Sequence, residues 1–378
     1  MSEVKLFAVG DISLRTKDGA HPFGAVRDVL RECDVLFGNL ETALSRRGRQ
    51  SEKSVVLNAD PSLASHLVEA EFDILSIANN HVMDLGPEGF EDTITALLRN
   101  NISFVGAGNR NHARSDTIIE TNGLRVGFLA YLEGGYSNGD VFINRADLSR
   151  VRNDIAALRP QCDIIVVSLH WGIENVQYPS PGQINMARGI IDSGAALVIG
   201  HHAHVLQGIE TYKNGLIAYS LGNFQFDFEI GANRERGTNL SAVLSVTLTE
   251  SGVKSYEIIP IKISECYIPA LAEGLEGENI KGHISRVTRP IIENKLNWQS
   301  WYREMAERYL ADSLRSWKKR IGKYGIMHLL AFLRWLLRPF VIRCYISLIK
   351  ARIGAGRVDR YWAASGKDVL PANPREGS

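Results

Sequence analysis

The sequence predicts an α/β fold in which crossover helices connect the strands of a parallel sheet. Short apolar runs alternate with helical segments between Val4 and Ile199, as they do in chains of βαβ units. The 378 residues, 45% of them hydrophobic, are enough to bury a large core. Several apolar runs end directly in polar side chains, and the carboxyl edge of such a sheet is where ligand sites lie.

Apolar runs and turn residues define the expected elements. The predicted strands cover residues 4–9, 34–41, 72–78, 102–108, 124–131, 162–169 and 195–199, and residues 241–250 and 253–263 form an antiparallel pair. The predicted helices cover residues 26–31, 61–69, 88–98, 151–158 and 184–193. Pro61 suits the first position of its helix.

The strand that is expected to stop at Gly200 is followed by a run of histidines. His201, His202 and His204 lie within four positions of a chain that has ten histidines. Imidazoles two positions apart can converge on a metal ion if the backbone turns between them. The alternative is a surface turn with chance histidines.

Further donors follow other predicted strands. Asp11 lies at the end of the first strand, where its carboxylate can either bind a metal ion or cap the next turn. The second strand ends with Asn39 and Glu41, which we expect to be exposed. Asn80 and His170 follow two more strands. Parallel strand ends open on one edge, so these donors can share a site with the histidine run. Carboxylate, amide and imidazole donors without thiolates favour manganese, iron or zinc, and Glu41 can bridge two ions.

Two such ions, about 3.5–4 Å apart, can hold a phosphoryl group and activate a water molecule. His81 follows Asn80 and can protonate the leaving oxygen as a general acid. Asp84 can orient that imidazole, or alternatively form a turn or helix cap before Gly86.

Composition narrows the range of partners. The net charge of +1 gives no reason to expect nucleic acid. The four cysteines stand alone, which suits a reducing compartment. The N-terminus leads straight into a strand without a signal peptide, so we expect a cytoplasmic protein.

The charged run from Arg46 to Lys53 is either a solvated loop or a rim that meets an anionic substrate.

Six segments together are similar to a known family. They are Gly10-Asp11, Asn39-Leu40-Glu41, Ala78-Asn79-Asn80-His81 with Asp84 and Gly86, His170-Trp171-Gly172 with Glu174, residues 200–205 with Gln207-Gly208, and residues 219–224 with Asp227. As a set, over about residues 4–263, they resemble the bacterial capsule synthesis protein CapA family, also described as poly-γ-glutamate biosynthesis proteins.

The resemblance implies a fold related to the calcineurin-like metallophosphatases, a two-layer β-sandwich flanked by helices rather than one open sheet. It implies that His81 is the proton donor and that one or two divalent ions are bound by Asp11, Glu41, Asn80, His170, His202 and His204. His201 is the alternative to His202. The wider phosphatases have an Asp-x-His motif where Asp11 is followed here by Ile12 and Ser13, which predicts that one ion is held weakly.

The C-terminal part differs in character. We expect a first domain at residues 1–270 and a basic, helical extension at residues 271–378. Residues 313–358 contain no Asp or Glu. On a helical wheel a basic face lies opposite an apolar one, the former made by Arg320, Lys323, Arg334 and Arg338 and the latter by Leu329, Phe332, Leu333 and Leu336. Pro339 should break the helix.

The stretch from Ile326 to Ile349 has the length of a membrane span, but it contains three arginines. Each would cost about 2.5–3.5 kcal/mol near the bilayer centre. A helix that lies on the membrane surface keeps them at the headgroups. The alternative is that the extension packs on the core with a solvated basic face.

We therefore expect a metal-dependent hydrolase that acts on an anionic polymer or a phosphoester in capsule, poly-γ-glutamate or exopolysaccharide biosynthesis, in the cytoplasm or at the inner face of the membrane. The cleaved bond can be a phosphoester or a polyglutamate amide. The alternative is a non-catalytic accessory subunit of a membrane-bound capsule or polymer synthase, docked through its basic helices.

Overall fold

Two mixed sheets lie face to face in the computed structural model, which describes residues 2–17, 19–53, 55–109, 116–138, 140–227 and 237–353. Phe37 of one sheet stacks on Phe128 of the other, with ring centroids 5.9 Å apart. Apolar side chains of both sheets form one continuous core. The two-layer sandwich implied by the family resemblance is confirmed, and the single open sheet expected from the strand–helix alternation is wrong.

The first sheet has eight strands with a parallel centre. In chain-order numbering they are β1 (Val4–Ile12), β2 (Val35–Leu40), β5 (Ile74–Ser76), β6 (Ser103–Val105), β16 (Asn223–Gln225), β17 (Leu240–Thr249), β18 (Gly252–Ile263) and β19 (Pro269–Leu271). Their order is β19-β18-β17-β1-β2-β5-β6, with β16 also paired to β1. The predicted antiparallel pair is β17 and β18.

The second sheet has six strands in the order β14-β15-β13-β12-β9-β8. These are β8 (Asp116–Thr121), β9 (Leu124–Leu132), β12 (Ile164–His170), β13 (Leu197–His201), β14 (Ile209–Tyr212) and β15 (Gly215–Ala218). The four inner strands are parallel. Two small sheets are formed by β7 (Ala107–Gly108), β10 (Tyr136–Asn138) and β11 (Val141–Ile143), and by β3 (Ala43–Leu44) and β4 (Asn58–Ala59).

Helices cover the outer faces. They are α1 (Arg27–Leu30), α2 (Ala64–Glu69), α3 (Gly86–Arg99), α4 (Leu148–Leu158), α5 (Pro181–Asp192), α6 (Gly274–Ile292), α7 (Trp298–Tyr324), α8 (Ile326–Leu336) and α9 (Pro339–Ile353), with 3-10 turns at Pro61–Leu63 and Arg159–Gln161. Helix α5 begins earlier than predicted because Ser180 and Gln183 form a reciprocal capping box before its apolar face starts.

Alternation along β9 shows why both faces of the second sheet are apolar. Val126, Phe128 and Ala130 face the first sheet, whereas Leu129 and Tyr131 belong to a second core beneath the helices. Successive side chains of a strand point to opposite faces. Because both faces are covered, the strand appears in the sequence as an unbroken apolar run.

The C-terminal helices extend this second core. Trp301 and Met305 of α7 are buried in it, and the Trp301 indole nitrogen donates to the Tyr178 carbonyl at 3.1 Å. Phe332 and Leu336 also pack there. One face of the extension therefore packs on the core. Residues 354–378 of the predicted extension lie outside the described residues.

Pro339 separates α8 from α9, so the predicted break is confirmed and the membrane-length stretch is divided into two helices. Among the described residues, no helix combines the length and the apolar character that crossing a bilayer requires.

Strand β13 does not stop at Gly200 as predicted, because His201 pairs with His170 of β12. The glycine serves a different purpose. A Cβ atom at Gly200 would lie 1.9 Å from the carbonyl oxygen of Tyr219. Gly200 is therefore a point of close backbone approach within the strand.

Gly200→Ala should lower the free energy of unfolding by about 1–3 kcal/mol, because a backbone carbonyl cannot move aside as a flexible side chain can. Gly282→Ala is the matched control, since its Cβ in α6 would meet nothing within 4 Å and alanine favours helix by up to about 1 kcal/mol. Urea unfolding measures both. Equal stability of the two variants would contradict the close approach.

Candidate metal centre

The centre of the site is the Glu41 carboxylate. Glu41 is fully buried, and neither of its oxygens has a hydrogen-bond partner among the described residues. Three imidazole nitrogens surround Oε1: Nε2 of His170 at 3.5 Å, Nε2 of His204 at 3.8 Å and Nε2 of His81 at 3.9 Å. Burial, and then the charge of Asp11, raise the pKa of the Glu41 carboxyl well above its ordinary value. A buried charge without donors is costly, so Glu41 is ionised only with a cation beside it.

The prediction that Asn39 and Glu41 are exposed is wrong. Both are fully buried, because the ends of β2 and β12 face each other across the two layers. The sequence prediction assumed one open sheet, in which the carboxyl edge of β2 would face solvent.

Asp11 is the second buried carboxylate. Asn39 Nδ2 donates to its Oδ1 at 2.8 Å, and His201 Nδ1 lies 3.2 Å from that oxygen. His204 Nδ1 lies 3.2 Å from Oδ2. Burial alone would raise the pKa of Asp11, but its contacts with His201 and His204 hold that pKa well below the ordinary value. Asp11 is therefore an ionised member of the site rather than a turn cap.

The backbone turns sharply through the histidine run. His202 has φ of 85° and His204 has φ of 57°, a left-handed conformation that non-glycine residues adopt at a cost. The His202 ring lies 4.7 Å from the His170 ring and 6.0 Å from the His204 ring, between centroids. The predicted turn between the imidazoles is present, and the surface-turn alternative is wrong because His201 and His204 are buried.

His170 links the site to Asn80. Its Nε2 lies 2.8 Å from Asn80 Oδ1, and its Nδ1 lies 3.3 Å from Asn39 Nδ2. Burial, and then His202, lower the pKa of His170 well below its ordinary value. Burial likewise lowers the pKa of His202 to about 4. Both imidazoles are therefore neutral at pH 7, the form that binds metal.

His204 is charged in the metal-free site. Burial opposes this, but Glu41 and then Asp11 raise the pKa of His204 to about 10. A proton on this imidazole thus compensates the two carboxylates. A cation that His204 ligated would have to displace that proton.

Three overlapping groups of side chains bring potential ligand atoms within 4.8 Å of one another. They are Glu41 with His170 and His202, Asp11 with Glu41 and His204, and Glu174 with His202 and His204. Glu41 belongs to two of them, as a bridging carboxylate would. Five of the six predicted ligands belong to these groups, and the sixth, Asn80, reaches the same pocket through its contact with His170. Of the two alternatives for the histidine run, His202 joins these groups and His201 lies against Asp11.

His81 lies at the edge of this pocket, held by a carboxylate. Its Nδ1 lies 2.6 Å from Asp84 Oδ2. The same carboxylate accepts from the backbone nitrogen of Leu57 at 2.7 Å and from Lys53 Nζ at 2.6 Å. Helix α3 is preceded by Leu85 and receives no side-chain cap. The cap alternative for Asp84 is therefore wrong, and the carboxylate orients His81.

The charged run divides between surface and site. Arg46 pairs with Asp60, and Arg47 pairs with Asp92. Lys53 instead turns inward to Asp84. Neither a solvated loop nor a substrate rim describes the whole run, and nothing in its sequence distinguishes Lys53 from its neighbours.

Asn223 and Glu174 are the other site residues that were not predicted as such. Asn223 Oδ1 lies 2.8 Å from His204 Nδ1 and fixes that ring. Both residues belong to the segments that carry the family resemblance, and Asn223 follows an apolar run as the other donors do. The position of Asn223 directly after an apolar run is the sequence feature that could have identified it as a site residue.

A second cluster of possible ligands, His21, His66 and Glu69, lies on the surface. The backbone nitrogen of Phe23 donates to His21 Nδ1 at 3.1 Å, so the ring proton is on Nε2, which lies 2.8 Å from Glu69. That nitrogen has no lone pair for a metal ion. The donors around Glu41, by contrast, are carboxylates and imidazoles of the kind that divalent manganese, iron and zinc accept.

Comparisons with known proteins were consistent over most of the chain. The family model for bacterial capsule synthesis protein PGA_cap matches residues 5–228. The chain is 30% identical to the capsule biosynthesis protein CapA of Bacillus anthracis over 74% of this chain and 72% of that protein, and 30% identical to the PGA biosynthesis protein CapA of Bacillus subtilis over 80% and 74%. It is also 30% identical to a probable polyglutamine synthesis accessory protein of Mycobacterium tuberculosis over 72% and 77%.

In the metal-free protein, the free energy of unfolding should fall less between pH 5 and pH 8 in Glu41→Gln than in the wild type. Since burial raises the pKa of the Glu41 carboxyl above 4.5, the wild type loses stability as pH rises from that unfolded-state value through the raised folded-state value. Glutamine has no such loss. Urea unfolding in chelator at pH 5 and pH 8 measures this fall for both proteins, and it should be larger for the wild type.

Added Mn²⁺ should stabilise the wild type more than Glu41→Gln. The wild type gains about 2.7 kcal/mol at a metal concentration one hundred times the Kd, and Glu41→Gln gains far less. Glu304→Gln is the control, because burial also raises the pKa of that carboxyl but Glu304 lies in α7. An equal Mn²⁺ gain in wild type and Glu41→Gln would rule out Glu41 as a ligand.

Proposed function

The chain belongs to the bacterial capsule synthesis protein PGA_cap family, and on this basis we propose that it is a metal-dependent hydrolase of the metallophosphatase type. The match to the family model and to the two CapA proteins confirms the resemblance that the six sequence segments indicate. The reaction would serve capsule or poly-γ-glutamate biosynthesis, in the cytoplasm or at the inner face of the membrane. The observation that carries the proposal is the unpartnered Glu41 carboxylate surrounded by three imidazoles.

The residues that would hold the cation are those predicted from the sequence, namely Asp11, Glu41, Asn80, His170, His202 and His204. Glu174 would join them at the open side of the pocket. Manganese, iron and zinc all suit this donor set. A bound divalent cation would supply Lewis-acid activation of water and of the substrate oxygen.

His81 would move the proton. With Nδ1 directed at Asp84, the protonated ring presents its other N–H, at Nε2, to the pocket. Burial lowers the pKa of His81 and Lys53 adds to this, whereas Asp84 opposes it. The cationic ring is therefore a stronger acid than an ordinary imidazolium and can protonate a leaving oxygen. Lys53 and Leu57 hold Asp84 in place for this role.

The substrate class that we propose is a phosphoester or an anionic polymer. A carboxylate-bridged cation site suits a phosphoryl group, which carries negative charge. Relatives named for PGA biosynthesis make a polyglutamate amide the second bond to test.

A second candidate is a non-catalytic accessory subunit of a membrane-bound polymer synthase, docked through the basic helices. The Mycobacterium tuberculosis relative is named a probable accessory protein, and α8 and α9 expose both apolar and basic side chains. This candidate predicts that the protein supports polymer synthesis without hydrolytic activity.

With Mn²⁺ present, His81→Ala should lower kcat on bis-p-nitrophenyl phosphate by about 10²–10⁴-fold, because it removes the general acid. Mn²⁺ affinity should be retained, since His81 is not among the proposed ligands. His202→Ala should lower both kcat and Mn²⁺ affinity. His66→Ala is the control, because that histidine lies on the surface outside the pocket.

Hydrolysis rates and Mn²⁺ titrations of the four proteins separate the two candidates. Equal rates for wild type, His81→Ala and His202→Ala would remove the catalytic claim. A protein that binds no Mn²⁺ and still supports polymer formation would favour the accessory subunit.

A further inference from the structure

Helices α8 and α9 each have two apolar faces. One face packs on the second core through Trp335, Val341 and Cys344, which are buried. The opposite face is exposed and we call it the outer stripe: Ile326, Leu330, Leu333 and Leu337 along α8, and Ile346 and Ile349 along α9. Ile326 and Leu337 are 71% and 74% exposed within the described chain.

The spacing of the outer stripe is helical. Positions 326, 330, 333 and 337 follow the i, i+4, i+7, i+11 pattern of a single helix face, and positions 346 and 349 are three apart. Scattered surface leucines would not repeat in this way. The packing of α8 and α9 on the core therefore leaves a second apolar surface without a partner in the described residues.

Basic side chains flank the outer stripe. Arg334 and Arg338 are exposed beside the α8 part, and Arg343 and Lys350 are exposed beside the α9 part. Asp312 is the last acidic residue before position 353 in the sequence, and it pairs with Arg315. The two helices that carry the stripe therefore have basic but no acidic residues up to position 353.

We propose that the outer stripe docks the protein on the surface of an anionic lipid bilayer, with both helices lying in the membrane plane. The apolar side chains would enter the boundary between headgroups and acyl chains, and the arginines would meet the anionic headgroups. This proposal is independent of the hydrolytic chemistry of the Glu41 site.

Other occupants fit less well. A second copy of the chain would bring arginines of the same sign together. A soluble anionic polymer would neutralise the arginines but would leave the leucines and isoleucines in water. Spanning the bilayer needs about 20 apolar residues, whereas α8 has 11 residues and ends before Pro339. Only a surface with both acyl chains and negative headgroups uses every feature of the outer stripe.

The test is co-sedimentation of the full chain with 100-nm vesicles at 0.1 M salt. We expect binding to vesicles of equal phosphatidylcholine and phosphatidylglycerol to be at least ten times stronger than binding to pure phosphatidylcholine vesicles, and to weaken as salt is raised. Leu330→Ser with Leu333→Ser should lower binding to the anionic vesicles at least tenfold.

Leu275→Ser is the matched control, because Leu275 is 79% exposed on α6, away from the outer stripe. It should leave vesicle binding unchanged. Thermal unfolding verifies that the double variant is folded. Arg334→Gln with Arg338→Gln provides a second, independent variant and should remove the preference for anionic vesicles.

Three results would overturn the proposal. The first is no sedimentation of the wild type with anionic vesicles. The second is equal binding of the wild type and the folded double variant. The third is a combination of two observations: soluble polyglutamate abolishes vesicle binding, and the serine variant binds polyglutamate as well as the wild type does. This combination would assign the basic residues to polymer capture. If the first result occurs together with a wild-type dimer that the serine variant dissociates, the stripe would be assigned to self-association.

Discussion

The interaction on which the site depends is that between the Glu41 carboxylate and the imidazoles around it. Within the part of the chain that the structure describes, Glu41 is fully buried and accepts no hydrogen bond, yet three imidazole nitrogens lie within 3.9 Å of one of its oxygens. The ionised form of such a group is tolerated only when positive charge compensates it. In the metal-free protein that charge is the proton on His204, and the donor set suits a divalent cation in its place.

The fold supplies this arrangement by placing two parallel strand edges opposite each other. Asp11 and Glu41 come from the first sheet, and His170 and the histidine run come from the second. The proposed ligand set therefore draws on both sheets. Gly200 allows β13 to approach Tyr219 closely before the chain turns at His202. Burial between the layers keeps His170 neutral, whereas the contacts with His201 and His204 keep Asp11 ionised despite its burial.

Most of the candidate ligands could be predicted from the sequence, because the end of a strand is a local feature of the chain. Asp11, Asn80 and His170 are recognisable as candidate ligands because each is a polar residue that follows an apolar run. The two-sheet arrangement came from the family resemblance, since periodicity does not show which sheet a strand joins. Residue-level reasoning therefore placed Glu41 in solvent. Lys53 was missed because its partner Asp84 lies 31 positions away, and the division of the α8 apolar residues between core and outer stripe depends on tertiary packing.

The central claim is that the carboxylate and imidazole pocket binds a divalent cation. Anomalous diffraction from crystals grown with Mn²⁺, recorded on both sides of the manganese edge, tests it most directly. The account predicts one or two anomalous peaks within coordination distance of Glu41, with His204 or His170 as a further ligand. An anomalous map from crystals grown with saturating Mn²⁺ that shows no peak in this pocket, or shows peaks only at surface sites such as His21, would contradict it.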